Sequence, residues 1–200
     1  MVNSINYDNY QYTGWGLSLK AIKCLESLVS QNNISNVLEF GSGQSTLFFN
    51  DLGINFTSID NDVNFAAKHD NVKIKKIKQT DDKTFNQIIN NEVKFKDISS
   101  ELPVVPKIDT RMKNCFYDVS DLNLNNKFDL IIIDGPHGNG RSIAYNYIQD
   151  YVQDTFFILI DDYNHYPFID HFKLIFPNNE LLHSNTEKGD NWSIYKVLTK

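Results

Sequence analysis

Short, continuous runs of apolar residues recur along the chain, and several of them end in an acidic residue. The run from Phe128 to Ile133 ends at Asp134, and a later run ends at Asp161. Runs without alternation are typical of parallel strands that are buried on both faces. Strands are predicted over residues 35–40, 54–60, 71–78, 128–134, 156–161, 180–185 and 191–198.

Between these runs, apolar residues recur at helical spacing. In residues 17–31, the positions of Leu17, Ala21, Leu25 and Leu28 place an apolar stripe along one face of a helix. Helices are predicted over residues 17–31, 44–52, 62–69, 80–92, 141–153 and 166–175.

The alternation of strands and helices predicts an α/β fold with a mostly parallel seven-stranded sheet and helices on both faces. A short link through Gly189 joins the last two strands, which predicts an antiparallel final strand. Pro103 and Pro106 break the periodicity of residues 93–120, which are predicted to form an irregular insertion. A chain of 200 residues and 23.1 kDa fits a single domain spanning residues 1–200.

The charge of the chain argues against a nucleic-acid partner. The formal net charge is −6, whereas proteins that bind nucleic acid neutralise phosphates with a dense basic surface. The strongest basic cluster lies in the predicted strand 71–78 and is expected to be solvated; it comprises Lys73, Lys75, Lys76 and Lys78. The two cysteines, Cys24 and Cys115, form no metal-binding pattern and indicate no disulfide framework.

The N-terminal residues Met1 to Asp8 contain neither a basic segment nor an apolar segment of the kind found in signal peptides. No apolar stretch reaches the length of a membrane span. We therefore expect a cytoplasmic protein without a membrane partner. The sequence leaves the oligomeric state open, a homo-oligomer included.

The chemistry of the chain is concentrated where the first two predicted strands end. The first strand ends in Glu39 and runs into the turn Gly41-Ser42-Gly43, and the second strand ends in Asp60. Carboxyl ends of neighbouring parallel strands form the ligand crevice of α/β sheets, and glycines let the backbone approach a ligand closely. A carboxylate at Asp60 could accept hydrogen bonds from a ribose diol. This pattern predicts a nucleoside-binding pocket.

The turn also distinguishes between cofactors. A dinucleotide fingerprint needs a third glycine, and Thr46 stands at that position, so a pyrophosphate seat is disfavoured. The combination of Glu39, the Gly-x-Gly turn and Asp60 resembles motif I and its acidic follower in class I S-adenosylmethionine-dependent methyltransferases. A plain structural turn is the alternative.

The resemblance covers nearly the whole chain and implies a Rossmann-like methyltransferase fold with S-adenosylmethionine as cofactor. It implies that Glu39 helps to hold the methionine ammonium group and that Asp60 holds the ribose. The turn would carry the methionine part, and residues 1–32 would lie over the cofactor site. The implied cofactor-binding residues are Trp15, Glu39, Gly41, Ser42, Gly43, Ser45, Asp60 and Asp134.

A second group of acidic residues and histidines follows the next two buried strands. Asp134-Gly135-Pro136-His137 ends one of them, and Asp161-Asp162 ends the other. In a parallel sheet both ends lie at the same edge as Gly41. Crowded carboxylates repel each other unless a cation or a proton intervenes, and oxygen ligands suit Mg²⁺ or a similar divalent ion.

This arrangement resembles the metal sites of two groups of metal-dependent O-methyltransferases: the catechol type and the enzymes that act on antibiotic sugars. The resemblance implies that Asp134, Asp161 and Asp162 hold Mg²⁺ and that Asp134 is also a catalytic residue. It makes His137 the general base, which suits the chemistry because a hydroxyl must lose its proton to attack a methyl sulfonium. The implied acceptor is a small hydroxylated molecule such as a sugar or glycan residue.

Other interpretations remain open at this point. The segment from Asp134 to Gly138 could be a plain loop with an exposed His137, and Arg141 could pair with a substrate anion or with Asp134. The chain could be a metal-independent methyltransferase, a non-catalytic nucleoside-binding module or, less in keeping with Thr46, a dehydrogenase. The resemblance places Tyr12, Trp15 and Ser18 over the methionine end of the cofactor, with core or surface packing as the alternative for Trp15. Asp81 or Asp82 faces the adenine or caps a helix.

Overall fold

In the computed structural model, which describes residues 5–10, 12, 16–106 and 113–200, the strands form a large and a small β-sheet. The strands are β1 (Asn36–Phe40), β2 (Asn55–Asp60), β3 (Val72–Ile74), β4 (Ile77–Gln79), β5 (Val104–Val105), β6 (Cys115–Tyr117), β7 (Phe128–Ile133), β8 (Val152–Asp161), β9 (Asn179–Glu187) and β10 (Asp190–Leu198).

Within the described residues, the large sheet has seven strands in the order β3-β2-β1-β7-β8-β10-β9. The first five strands in that order are parallel, and β10 runs antiparallel to both of its neighbours. The predicted α/β class, the seven strands and the antiparallel final strand are therefore confirmed. Because β1, β2, β7 and β8 are parallel, their carboxyl ends meet at one edge of the sheet.

Helices cover both faces of the large sheet. They are α1 (Leu19–Asn32), α2 (Gln44–Asp51), α3 (Asp82–Ile89), α4 (Phe95–Ile98), α5 (Ile143–Ile148) and α6 (Phe168–Ile175). Side chains alternate along β1, so Val37 packs in the core beneath α1 and α2, whereas Leu38 and Phe40 pack in the core with α3, α5 and α6. None of the described helices is long and apolar enough to cross a membrane.

The predicted strand 71–78 is wrong in its extent, because it divides into β3 and β4 in different sheets. Apolar residues alternate with lysines from Val72 to Ile74, and the alternation then breaks because the next apolar residue is Ile77. Ile77 is buried, whereas Ile74 is 43% exposed. At the break, the amide of Lys75 donates to the Asp60 carbonyl at 2.7 Å. The strand β4 then pairs antiparallel with β5 and β6.

The buried position of Lys78 differs from the predicted solvated lysines. Its Nζ donates to the carbonyls of Ser100 at 3.1 Å and Leu102 at 2.9 Å, and it lies 3.5 Å from an Asp118 carboxylate oxygen. Burial of a charged group is tolerated when it is paired in this way. Residues 93–120, which were predicted to be irregular, contain α4, β5 and β6 and are tied to β4 by these contacts. Residues 107–112 lie outside the described ones.

The predicted helix over residues 62–69 is wrong, since the described chain there forms turns. The Asp62 side chain accepts a hydrogen bond from the amide of Asn64 at 2.9 Å, which is a turn geometry that competes with helix formation. Val63 and Phe65 are 66% and 58% exposed, so a helix here would bury little apolar surface. The segment that follows Asp60 is consequently an exposed loop.

Helix 141–153 is also shorter than predicted. A 3₁₀ turn spans Asn139–Ser142, α5 ends at Ile148, and β8 begins at Val152, four residues before the predicted strand. The 3₁₀ turn places Arg141 in the loop beside the end of β7, where its side chain becomes part of the site.

Candidate active site

The site is built where β1, β2 and β7 end. The amide of Gly41 donates to the Ile59 carbonyl at 2.8 Å, and the amides of Asp134 and Gly135 donate to the Phe40 carbonyl at 2.9 and 2.7 Å. Backbone hydrogen bonds thus continue the sheet into the loops. The turn after β1, the end of β2 and the loop after β7 are held side by side.

The two glycines of the turn have different roles. Gly41 has a φ of +95°, and a Cβ there would come within 2.9 Å of the Gly135 amide nitrogen, so a larger residue would separate the two loops. Gly43 has an extended backbone, and a Cβ there would meet no described atom within 4 Å. The Gly43 backbone therefore faces open space that a ligand can occupy.

Asp60 is 8% exposed and is linked to the same turn. One carboxylate oxygen accepts from the Ser42 amide at 2.7 Å, and the other accepts from the amides of Asn61 at 2.6 Å and Asp62 at 2.8 Å. A carboxylate offers about four lone-pair positions, so it retains capacity for a further donor. The second acid and the glycine turn form one hydrogen-bonded unit.

Glu39 is fully buried and is surrounded by hydroxyl groups of its own chain. Ser45 Oγ donates to one carboxylate oxygen, while Thr46 Oγ1 at 2.5 Å and Ser58 Oγ at 2.7 Å donate to the other. Thr46 Oγ1 also accepts from the Gly43 amide at 3.0 Å. The residue at the third glycine position therefore connects Glu39 to the turn.

Burial raises the pKa of Glu39 to about 7, although the hydrogen bonds from the hydroxyls oppose that shift. Both carboxylate oxygens bond to Ser45, Thr46 and Ser58, so Glu39 acts on the turn through these side chains. Its predicted contact with a methionine ammonium group stays a prediction. The roles of Thr46 and Ser58 were not predicted. The sequence did indicate one relation: Ser58 lies two residues before Asp60, so both side chains are on the same face of β2.

We expect the stability of the wild-type protein, relative to a Glu39→Gln variant, to fall as the pH rises from about 4.5 to about 7. The folded carboxyl binds its proton more tightly than the unfolded one, so the folded state is favoured at low pH and loses this advantage as the group ionises. The change should reach up to about 3 kcal/mol. Urea unfolding of both proteins across this range measures it, with exposed Glu92→Gln as the control. A stability difference independent of pH would contradict the assignment.

Asp134 and Asp161 stand beside each other because Ile133 of β7 pairs with Ile160 of β8. Their carboxyl groups share a hydrogen bond. Burial raises the pKa of both acids, and repulsion between neighbouring carboxylates raises that of Asp161 further. Both acids therefore hold a proton more readily than an exposed aspartate does.

Arg141 is the cation next to this acid pair. It is 5% exposed, and its Nε donates to the Pro136 carbonyl at 3.1 Å while Nη1 donates to the Asp161 carbonyl at 3.0 Å. Its guanidinium carbon lies 5.6 Å from the centre of the Phe168 ring. The positive charge opposes the rise in pKa of Asp134 and Asp161.

The predicted metal ligands do not form a metal-binding group as the structure places them. Across the described ranges, no cluster of three or more His, Cys, Asp or Glu side chains is arranged to hold a metal ion. Asp162 has a φ of +52°, and its carboxylate lies 3.7 Å from His165 Nδ1. The carboxyl groups of Asp134 and Asp161 are hydrogen-bonded to each other. These residues do not fit a divalent cation in this arrangement.

His137 is exposed on the loop after β7 and lines a small cavity of about 10 Å³, which has room for roughly one water molecule. The cavity is formed by His137, Gly138, Arg141, Asp162, His165, Tyr166 and Phe168. It lies over the ends of β7 and β8, next to the acid pair. This is where an acceptor molecule would contact an imidazole.

The loop that carries His137 is closely packed against β6. A Cβ on Gly140 would lie 2.0 Å from the Cys115 carbonyl oxygen, so only glycine fits there. The Asn114 amide donates to Asn139 Oδ1 at 2.8 Å, and Asn139 Nδ2 donates to Asn114 Oδ1 at 2.7 Å. These contacts were not predicted, because nothing in the spacing of these residues links them before the chain folds.

The remaining predicted site residues are placed as follows. Trp15 lies outside the described residues. Gly16 is described, and a Cβ there would be 3.9 Å from an Asp134 carboxylate oxygen. Ser18 caps α1 by accepting from the Ala21 amide at 3.2 Å, and Asp81 caps α3. Asp82 accepts from the Asn114 side chain at 2.7 Å. For Asp81, this contact corresponds to the predicted capping role, whereas capping by Ser18 was not predicted.

Comparison with known proteins gives similarity in structure alone. No protein-family model matches the chain, and no curated protein matches it in sequence. An O-methyltransferase from Bacillus cereus in complex with S-adenosylhomocysteine aligns with 96% of this chain and 86% of its own, at 14% identity and a TM-score of 0.53. A methyltransferase-like protein from Silicibacter pomeroyi aligns over 92% of this chain and 88% of its own, at 14% identity and a TM-score of 0.51.

A third solved structure is a 16S rRNA N2 G1207 methyltransferase from T. thermophilus in complex with S-adenosylmethionine and guanosine. It aligns with 94% of this chain at 11% identity and a TM-score of 0.51, and this chain spans 45% of its length. Likeness at these identities establishes the fold and leaves the chemistry to the residues of the site.

Proposed function

We propose that this chain, which has the fold of class I S-adenosylmethionine-dependent methyltransferases, transfers a methyl group from S-adenosylmethionine to a hydroxyl of a small molecule. The observation that carries the proposal is the unit formed by Gly43, Ser42 and Asp60. Open space beside the Gly43 backbone and an acid bonded to the same turn are what a nucleoside with an amino-acid tail requires.

In this proposal, the backbone of Gly41, Ser42 and Gly43 carries the methionine part, with Ser45 and Trp15 beside it. Asp60 accepts hydrogen bonds from the ribose hydroxyls. Glu39 maintains the turn through its hydrogen bond from Thr46. It also accepts a hydrogen bond from Ser45, which lies at the start of α2. When bound, the cofactor supplies a methyl group on a positively charged sulfur, which is open to in-line displacement.

His137 accepts the proton of the acceptor hydroxyl. It projects into the small cavity beside the acid pair, and its loop is fixed by the close packing of Gly140 and by Asn139. A fixed base within reach of the hydroxyl lowers the barrier through orientation and proton transfer. Asp134 lies at the base of the site with Asp161, where burial raises the pKa of both acids and so limits the negative charge near the sulfonium.

A small polyhydroxylated acceptor, such as a sugar or glycan residue, would lie over the mouth of this cavity, where His137, Asp162 and His165 offer polar groups to its hydroxyls. No basic surface for nucleic acid is evident from the net charge of −6. Assistance by Mg²⁺ at Asp134, Asp161 and Asp162 is the variant of this proposal that the resemblance suggested. Because these side chains do not fit the ion as placed, no step here depends on it.

Calorimetric titration with S-adenosylhomocysteine tests the cofactor assignment. We expect micromolar binding by the wild-type protein and at least about tenfold weaker binding by Gly43→Ala, because the new methyl group enters the space left for the ligand. The melting temperature of the unliganded variant should not change, since the backbone at Gly43 is extended and the added Cβ meets no described atom within 4 Å.

Gly53→Ala is the matched control, because Gly53 also faces open space within the described structure but has a φ of +69°. Alanine there should lower stability by about 1 kcal/mol and leave the affinity unchanged. Absence of binding by the wild-type protein would contradict the proposal. Binding without methyl transfer to any hydroxylated acceptor would instead identify a non-catalytic nucleoside-binding module.

A further inference from the structure

We propose that the Arg141 guanidinium is the permanent cation of the Asp134–Asp161 pair and takes the place that a divalent metal ion would have at this site. The inference concerns the site of the proposed function. It follows from the contacts of Arg141 and not from the identity of the acceptor.

The first observation is the anchoring of Arg141. Its Nε donates to the Pro136 carbonyl in the loop after β7, and its Nη1 donates to the Asp161 carbonyl at the end of β8. The side chain thus bridges the two loops that carry the acids. Metal ions commonly make the same kind of connection between strand ends, by binding ligands from each.

The second observation is the confinement of the guanidinium. It is 5% exposed, and the Phe168 ring at the start of α6 lies against it at 5.6 Å. A buried charge must be compensated, and the acids beside it are Asp134, Asp161 and Asp162.

The other titratable side chains that line the adjoining cavity are those of His137, His165 and Tyr166. His165 Nδ1 lies 3.7 Å from an Asp162 carboxylate oxygen. Arginine keeps its charge throughout the accessible pH range, so the compensation is permanent.

Two consequences follow. A guanidinium held at the Asp161 backbone carbonyl, with Asp162 lining the same cavity, repels a dication, so the wild-type site should have little affinity for one. Arg141 is also a positioning residue, because it ties the loop of His137 to the end of β8.

Binding of Mn²⁺, followed by the loss of its free-ion signal in electron paramagnetic resonance, tests the inference. We expect no saturable binding by the wild-type protein at low millimolar Mn²⁺. Arg141→Met leaves the acids without their cation and should raise the affinity for Mn²⁺ by about tenfold or more. Arg141→Lys keeps the charge and should behave as the wild type does. Adding Asp134→Asn to the methionine variant should remove the gained binding.

Saturable Mn²⁺ binding by the wild-type protein that Asp134→Asn abolishes would overturn the inference, and so would equal affinities of the methionine and lysine variants. If Arg141→Met does not fold, Arg141→Gln, which removes the charge but keeps hydrogen-bond donors, takes its place in the comparison. These measurements read metal binding without methyl transfer. A failure here therefore differs from a failure of the S-adenosylhomocysteine titration, which would contradict the proposed function.

Discussion

Replacing His137 with alanine is expected to lower kcat for methyl transfer by roughly 10²–10⁴-fold, which is the usual contribution of a general base. The imidazole projects into the cavity at the ends of β7 and β8, where the proposed acceptor hydroxyl would lie. His137 is exposed on a loop, so its removal should not affect folding. Release of S-adenosylhomocysteine, measured with a panel of monosaccharides, glycans and catechols, identifies the acceptor and then compares the two proteins.

His165→Ala is the matched control for this experiment. His165 is a second exposed imidazole that lines the same cavity, but it lies beside Asp162 at 3.7 Å. Its loss should change kcat far less than the loss of His137. Affinity for S-adenosylhomocysteine should be the same in both variants and in the wild type. Equal losses of kcat in the two variants would show that His137 contributes to the cavity surface and does not act as the base.

The edge of the sheet that holds the site was predictable from sequence because of how parallel strands are built. Apolar runs buried on both faces can be recognised without alternation, and the acids that end them must then lie at one edge. Asp60, Asp134 and Asp161 are brought together by this rule alone. The register pairs of β1 with β2 and of β7 with β8 place them as expected.

The direction in which each acid points was not predictable, because it depends on partners that are distant in sequence. Glu39 bonds to Ser58 on the neighbouring strand and to Thr46 on the following helix. Arg141 had two predicted partners, a substrate anion or Asp134, whereas its hydrogen bonds go to the carbonyls of Pro136 and Asp161. Such backbone acceptors leave no trace in residue type or spacing.

The errors in secondary structure have a related cause. The segments 62–69 and 71–78 each satisfied a local pattern, but the tertiary structure around them did not support it. The first offered no buried face for Val63 and Phe65, and an Asp62 turn replaced the helix. The second segment contributes β3 to the large sheet and β4 to the small one. In the sequence, only the break in the alternation of apolar and polar residues before Ile77 indicated this division.

Replacing Asp60 with alanine is expected to weaken binding of S-adenosylhomocysteine by about 10²–10³-fold. Hydrogen bonds from the ribose hydroxyls to a carboxylate contribute about 1.5–3 kcal/mol each. Asp60 also accepts from the Ser42 amide, so the variant loosens the turn as well. Asp62→Asn is the matched control, since it removes an exposed carboxylate two residues away with the same change in charge.

A second ligand separates the contact with the ribose from the effect on the turn. The wild-type protein should bind the 2′-deoxy analogue of S-adenosylhomocysteine about tenfold or more less tightly than the parent compound, because one donor to Asp60 is missing. In Asp60→Ala this preference should disappear, whereas Asp62→Asn should retain it. If Asp60→Ala bound weakly but kept the full preference, its carboxylate would support the turn through Ser42 without contacting the ribose.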